Sequence, residues 1–239
     1  YYSNIPEHQV FTDKVQEYYS LRCVPQILGP VSDTLSFAEK ILLDEANSVS
    51  DNPIISEEEN YVYHGGNFHG DYISLEMDKI KIAITRLSML MERQLNFLLN
   101  DHLNQKLPPF INTGKLGFNF GLQGAQFTAT STTAENQTLS NPMYIHSISC
   151  NKDNQDIVSM GTNAALLARK VIDNSFEVIT IHLMAIITAI HYLKIEDKLA
   201  PATKHYYDDL SKIIPPVIVD SELSDTINKG VEFLKKYEL

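Results

Sequence analysis

Apolar side chains recur along most of this chain at helical spacing. Over 71–100, Ile73, Met77, Ile80, Ile84, Leu87, Met91, Leu95 and Leu98 follow one another at intervals of three or four residues. That periodicity predicts one long helix with a continuous buried stripe. At about 1.5 Å per residue it would span roughly 45 Å. Asp71 has a side chain suited to capping its start, and Pro108-Pro109 prevents much continuation past its end. A second long helix is predicted over 154–193, with Ile157, Met160, Ala164, Leu167, Val171, Phe176, Ile179, Leu183 and Ile187 near one face. Between the two, 121–140 is rich in small and hydroxylated residues, among them Thr128, Ala129, Thr130, Ser131, Thr132, Thr133 and Ala134. Its intrinsic helix propensity is middling. Small side chains let neighbouring helices approach, so the stretch reads as a buried central helix.

An earlier helix is predicted over 34–48, ending at the turn-like Ser50-Asp51-Asn52-Pro53. Residues 61–68, punctuated by Gly65-Gly66, are the one expected strand or hairpin. Two shorter helices, 203–213 and 221–237, flank Pro215-Pro216, and no internal repeat interrupts the pattern. The fold class is therefore mainly α: an elongated bundle of long antiparallel helices with a short hairpin or loop near 61–68. Residues 1–195 are expected to form the bundle and 196–239 a helical tail. Apolar stripes on helices this long predict burial by neighbouring copies of the chain.

Composition narrows the function classes. The chain of 239 residues is 44% hydrophobic with 10 Gly and 10 Pro, an ordinary globular balance. Thirty acidic residues against 19 basic leave a net charge of −11, which argues against nucleic acid as a partner. Cys23 and Cys150 stand far apart with no CxxC partner, so free thiols and a cytoplasmic location are expected. The longest apolar run, 176–190, is broken by Glu177, Thr180, His182 and Thr188. It reads as too polar and short for a membrane span of about 20 residues. The opening Tyr1-Tyr2-Ser3-Asn4 has no leader-like region and no initiator Met, so the sequence is expected to be part of a longer chain.

Four loop-like segments hold the candidate chemistry. In Gln16-Glu17-Tyr18-Tyr19-Ser20-Leu21-Arg22, a phenol and a guanidinium lie three residues apart, with an amide just before. Arg22 suits bidentate binding of a carboxylate, and Tyr19 suits proton exchange beside it. Spacing alone equally allows a surface Arg beside a half-buried Tyr. In His64-Gly65-Gly66-Asn67-Phe68-His69-Gly70-Asp71 the glycines permit close backbone approach to a ligand, or simply a tight turn before a helix. The spacing of His64, His69 and Asp71 fits no common metal motif, and no metal is expected. An esterase oxyanion loop would need a Gly-x-Ser-x-Gly turn, which is absent. Leu116-Gly117-Phe118-Asn119-Phe120-Gly121 matches no phosphate-binding pattern. Asn154-Gln155-Asp156 reads as the opening of the second long helix, with Asp156 suiting its dipole and both amides able to face a ligand.

Taken together and in order, these segments resemble one family, the histidine, phenylalanine and tyrosine ammonia-lyases. The resemblance rests on Val15-Gln16-Glu17-Tyr18-Tyr19-Ser20-Leu21-Arg22-Cys23 with Pro25-Gln26, on Glu45-Ala46-Asn47-Ser48-Val49-Ser50-Asp51-Asn52-Pro53, and on Gly65-Gly66-Asn67-Phe68-His69. It continues through Leu107-Pro108-Pro109-Phe110, Asn154-Gln155-Asp156 and Val158-Ser159-Met160-Gly161. The wording is most like bacterial tyrosine ammonia-lyases.

The resemblance implies a helical carbon–nitrogen lyase acting as a homotetramer on an aromatic amino acid. Its electrophile is a 4-methylidene-imidazol-5-one (MIO), made from Ala-Ser-Gly in an N-terminal half. That tripeptide is absent from this sequence, so these 239 residues are expected to be inactive without the missing N-terminal half. By the same resemblance, Arg22 binds the substrate carboxylate, Tyr19 takes part in elimination, and Gln16 holds substrate or electrophile. Phe68 packs on the ring, and Asn154 and Gln155 complete the pocket wall. Histidine-specific members carry Glu where this chain has Gln155. A neutral amide suits an uncharged arene or phenol, so tyrosine or phenylalanine is the expected substrate. Histidine ammonia-lyase and an MIO-dependent aminomutase are the alternatives, with a non-catalytic helical assembly module outside the enzymes.

Overall fold

The computed structural model describes residues 15–237. The opening residues 1–4, read above for a leader, lie outside that range. Helices dominate, as expected: α1 (Tyr19–Arg22), α2 (Val24–Ala46), α3 (Asp71–Leu99), α4 (Asp101–Asn104), α5 (Gln123–Leu139), α6 (Gly161–Leu193), α7 (Pro201–Ile213) and α8 (Ser224–Leu234). Strands β1 (Ile54–Ser56) and β2 (Tyr61–Tyr63) pair antiparallel, Ile54 opposite Tyr63. The hairpin thus begins before 61.

Four expectations are corrected. First, α2 starts at Val24 rather than near 34. Pro25, Gly29 and Pro30 hid its first turns, because proline lacks an amide donor and glycine favours coil. Second, α6 starts at Gly161, not 154. Asn151, Lys152, Asp153 and Met160 all hold positive φ, which no helix accommodates. Asn154 and Gln155 therefore sit in a loop, and Asp156 is not in the first turn of a helix. Third, Asp71 is the first residue of α3 rather than its cap; the Ser74 amide donates to the Gly70 carbonyl (2.9 Å). Fourth, α5 buries one face only: Ala125, Ala129, Thr133 and Asn136. Phe127, on another face, is 65% exposed.

The buried row of α3 is also displaced from the apolar stripe read in the sequence. Ile80, Met91 and Leu95 are buried, but Ile73, Met77, Ile84, Leu87 and Leu98 are only partly so. The most enclosed row through most of the helix is Ser74, Asp78, Lys81, Thr85, Ser88 and Glu92. It is polar, with the same three- and four-residue spacing, one residue along from the apolar stripe.

The contacts divide the described chain into two compact units. One comprises the residues through Gln26, Leu87–Asn136 and 173–237; the other comprises Ile27–Arg86 and Gln137–Ile172. In the first, Leu95, Leu99, Leu122, Ala129, Ile181, Met184, Leu210, Ile214 and Ile227 belong to one apolar core, so the segment after 195 packs within it. Gly230 of α8 lies so close to α6 that an added Cβ would fall 2.6 Å from Thr180 Cγ2. Asp220 accepts the amides of Phe120 (2.6 Å) and Gly121 (3.0 Å), which ties the 116–121 loop to the segment before α8. By length and composition, α6 is apolar enough to cross a membrane, contrary to the sequence reading; 56% of its most apolar window is buried inside the chain, as in a core helix.

In the second unit, Val31 and Ala38 of α2 are buried, and Lys79 of α3 lies over the Phe37 ring (4.5 Å). Polar contacts join α3 to the 140–160 segment that follows α5. Thr85 and Ser140 share a hydroxyl hydrogen bond of 2.5 Å.

Candidate active site

Each unit holds part of the set of residues singled out in the sequence. In the first, the single turn α1 is held from outside, because Gln94 of α3 donates its side-chain amide to the Ser20 carbonyl (2.8 Å). Tyr18 meets Phe97 edge-to-face at 6.0 Å. On that anchored turn the Arg22 guanidinium stacks over the Tyr19 ring at 4.6 Å, and its Nε donates to the Glu17 carbonyl (2.9 Å). The two side chains that spacing alone left ambiguous are therefore brought together. Tyr19 is 68% exposed, not half-buried. Gln16 lines a neighbouring cleft of about 740 Å³ with Leu21, Phe97, Leu98 and Leu107, and neither Tyr19 nor Arg22 is among its walls.

The physical consequence concerns the rest of the guanidinium. Of its five N–H donors, Nε uses one on the backbone. The Nη pair is the edge that grips a carboxylate with two parallel bonds. Stacking on Tyr19 fixes the plane of that fork in advance, which lowers the ordering cost of binding.

In the second unit, Phe68 sits on the turn before α3, closed by the His69 amide on the Gly66 carbonyl (2.8 Å). The Gly65 amide donates to Asn52 Oδ1 (3.0 Å), so the Ser50-Asp51-Asn52-Pro53 turn braces the glycine pair. Phe68 is 54% exposed and lines a depression of about 410 Å³ with Gly70, Ile73, Val158, Met160 and Gly161. Asn154 and Gln155 are exposed on the loop before α6 and do not line that depression. Gln155 is held on both sides. Its backbone exchanges hydrogen bonds with Cys150 (3.1 and 3.3 Å), and its side-chain Oε1 accepts from the Cys150 thiol (3.2 Å). The oxygen keeps a second lone pair, and the nitrogen carries two N–H donors.

His69 pairs with Asp71 (3.5 Å) and with the Ile157 carbonyl (3.3 Å), while His64 is exposed. Among the described residues no three His, Cys, Asp or Glu side chains gather to hold a metal ion. Cys23 and Cys150 are both free thiols. Three residues were missed in the sequence: Cys150, Asp78 and Lys81. The signal for the last two was the polar row repeating on α3 at core spacing.

The described residues thus offer a braced guanidinium beside a phenol in one unit and an amide-bearing loop in the other, all on a helical frame. The chain matches the family model described as aromatic amino acid lyase over residues 3–212. It is 39% identical over 222 residues to a tyrosine ammonia-lyase of Cupriavidus metallidurans, covering 93% of this chain and 42% of the relative. It is equally 39% identical over 222 residues to a histidine ammonia-lyase of Caldanaerobacter subterraneus subsp. tengcongensis, covering 93% and 43%. The crystal structure of a tyrosine aminomutase from Streptomyces globisporus superposes with a TM-score of 0.90 at 38% identity, covering 97% of this chain and 44% of that one. The chain belongs to the aromatic amino acid lyase family, whose members among these relatives include carbon–nitrogen lyases. It spans about two fifths of the length of the curated relatives it matches.

Proposed function

We propose that this chain supplies the carboxylate clamp and part of the ring-binding wall of an enzyme that eliminates ammonia from tyrosine or phenylalanine. The observation that carries the reading is the Arg22 guanidinium stacked at 4.6 Å on Tyr19 and braced through Nε on the Glu17 carbonyl. Arg22 fixes the acid group of the substrate, and Tyr19 exchanges a proton beside it. Gln16, on the neighbouring cleft, helps hold the substrate or the electrophile. Phe68 offers an aromatic face to the ring, while Asn154 and Gln155 bound the ring end with neutral amides.

The methylidene-imidazolone of the family is the electrophile that makes the substrate nitrogen a leaving group. Its Ala-Ser-Gly precursor is not in these 239 residues, so on this reading it comes from another part of the enzyme. Gln16 and Tyr19 are the polar groups this chain brings to it. Removing a weakly acidic β-proton then depends on positioning and charge stabilisation, the part this chain performs. On the same reading the intact enzyme is a homotetramer in the cytoplasm, with exposed apolar side chains such as Leu43 of α2 and Leu166 of α6 covered by neighbouring copies.

The test is the intact enzyme incubated with tyrosine, phenylalanine and histidine. Coumarate or cinnamate is expected by absorbance; urocanate as the preferred product overturns the reading of Gln155. Arg22→Ala is expected to raise KM about tenfold or more with a smaller effect on kcat, the signature of lost ground-state binding. Unchanged kinetics would remove the clamp. A second reading, an aminomutase, is favoured by the tyrosine aminomutase superposition. It would show as a β-amino acid in place of the free unsaturated acid.

A further inference from the structure

We infer that Asp78 and Lys81 are positioning residues that set substrate choice by holding the loop that carries Gln155; this rests on the role proposed above for Gln155. Both belong to α3 and neither touches the candidate site. Lys81 is wholly buried and Asp78 nearly so, 2.7 Å apart as an ion pair three residues apart on the helix. A buried ion pair is weak evidence for stability, since apolar residues of similar volume do as well or better there. Its use lies in where the remaining bonds go.

Lys81 Nζ donates to the Asn141 carbonyl (2.8 Å), and Asp78 Oδ2 accepts the Tyr144 amide (2.7 Å). Both partners are main-chain groups at the start of the 140–160 segment. One turn further along the same row, Thr85 bonds Ser140 (2.5 Å). The far end of the segment is tied as well: Ser147 Oγ accepts the Val158 amide (3.0 Å), and His69, beside Phe68, meets the Ile157 carbonyl (3.3 Å). Between these ties the chain folds back on itself through three positive-φ residues, Asn151, Lys152 and Asp153, and the Cys150–Gln155 bridge closes the turn. The segment contains no helix or extended strand of its own, so its course is set by these anchors. A shift at Asn141 and Tyr144 is transmitted along the segment to the turn that presents the Gln155 carboxamide.

The test uses the intact enzyme and the double variant Asp78→Asn/Lys81→Met, which removes both charges together and leaves neither one buried alone; Lys81→Met by itself serves as the harsher comparison. Two readings are taken. Amide hydrogen exchange of 141–158 in the double variant is expected to quicken about tenfold or more, while the amides of α7 and α8 keep wild-type rates. In steady state, KM for tyrosine and phenylalanine is expected to rise, and the ratio of their kcat/KM values to change about fivefold. A merely structural pair would lower the active fraction for every substrate alike, leaving KM and the ratio at their wild-type values. Wild-type exchange over 141–158 overturns the anchoring. Quickened exchange with an unchanged KM and ratio overturns the role in substrate choice. A wild-type enzyme that ignores all aromatic amino acids fails the functional reading instead, and the exchange measurement still judges the anchor.

Discussion

At the scale of single residues, the arrangement is decided by which polar atoms are already engaged. Arg22 uses Nε on the Glu17 backbone and its face on Tyr19, which fixes the orientation of the rest of the guanidinium. Gln155 Oε1 accepts from the Cys150 thiol, and the side-chain nitrogen carries a pair of N–H donors. A carboxylate there would lose that donor and bring a charge beside an uncharged ring. Gln155→Glu is therefore expected to lower kcat/KM for tyrosine and phenylalanine about tenfold or more while sparing histidine. Loss in equal proportion for all three amino acids would refute the neutral-amide argument.

His182, in the middle of α6, makes a different prediction. Burial pushes its pKa from 6.5 down to about 4. The folded state keeps it neutral, whereas the unfolded chain takes up a proton near 6.5. Between about 4 and 6.5 the unfolded state binds more protons, so the associated stability is complete above 6.5 and falls as pH drops through that window. The loss amounts to at most about 3 kcal/mol. Denaturant unfolding from pH 7 to pH 4.5 should show that limb, and His182→Met should flatten it. An identical slope in the variant would mean other groups carry the acid sensitivity.

At the scale of elements, two helices illustrate how packing overrides pattern. Gly230 of α8 meets Thr180 of α6 and Ile214 with no room for a side chain. Gly230→Ala, which would favour an isolated helix by about 1 kcal/mol, is instead expected to destabilise the first unit by about 1–3 kcal/mol through overpacking. A rise in melting temperature would show that α8 can move away. On α3, a run of apolar residues at regular intervals was legible and gave the helix nearly to the residue. Which row of that helix is most enclosed was not. Asp78, Lys81 and Thr85 lie one position along from the apolar stripe and are more deeply buried than most of it, because partners from 140–144 reach across to bond them. The sequence pattern registers polarity but not whether a polar group has found a partner, and only an unpartnered one is costly to bury.

At the scale of the whole molecule, the two cysteines fall in different compact units, Cys23 with the clamp and Cys150 with the amide loop. Both are free, Cys23 partly buried and Cys150 exposed. Alkylation without reductant should label both, Cys150 first, and mass spectrometry of the intact chain should then find no disulfide. A species lacking both labels would contradict the thiol assignment. The candidate residues are likewise divided, Gln16, Tyr19 and Arg22 in one unit and Phe68, Asn154 and Gln155 in the other.

By itself the sequence determined the helical class, the extent of α3 to within a residue or two, the C-terminal ends of α2 and α6, and the family, because local periodicity and ordered motifs survive without any knowledge of neighbours. Tertiary structure alone decided that Arg22 lies on Tyr19, that 154–160 is a loop rather than a helix start, and that a lysine and an aspartate are enclosed where apolar residues were expected. Each of those depends on a hydrogen bond, a ring stack or a positive φ set by residues that the chain brings together only on folding. Short-range pattern carries no record of such partners.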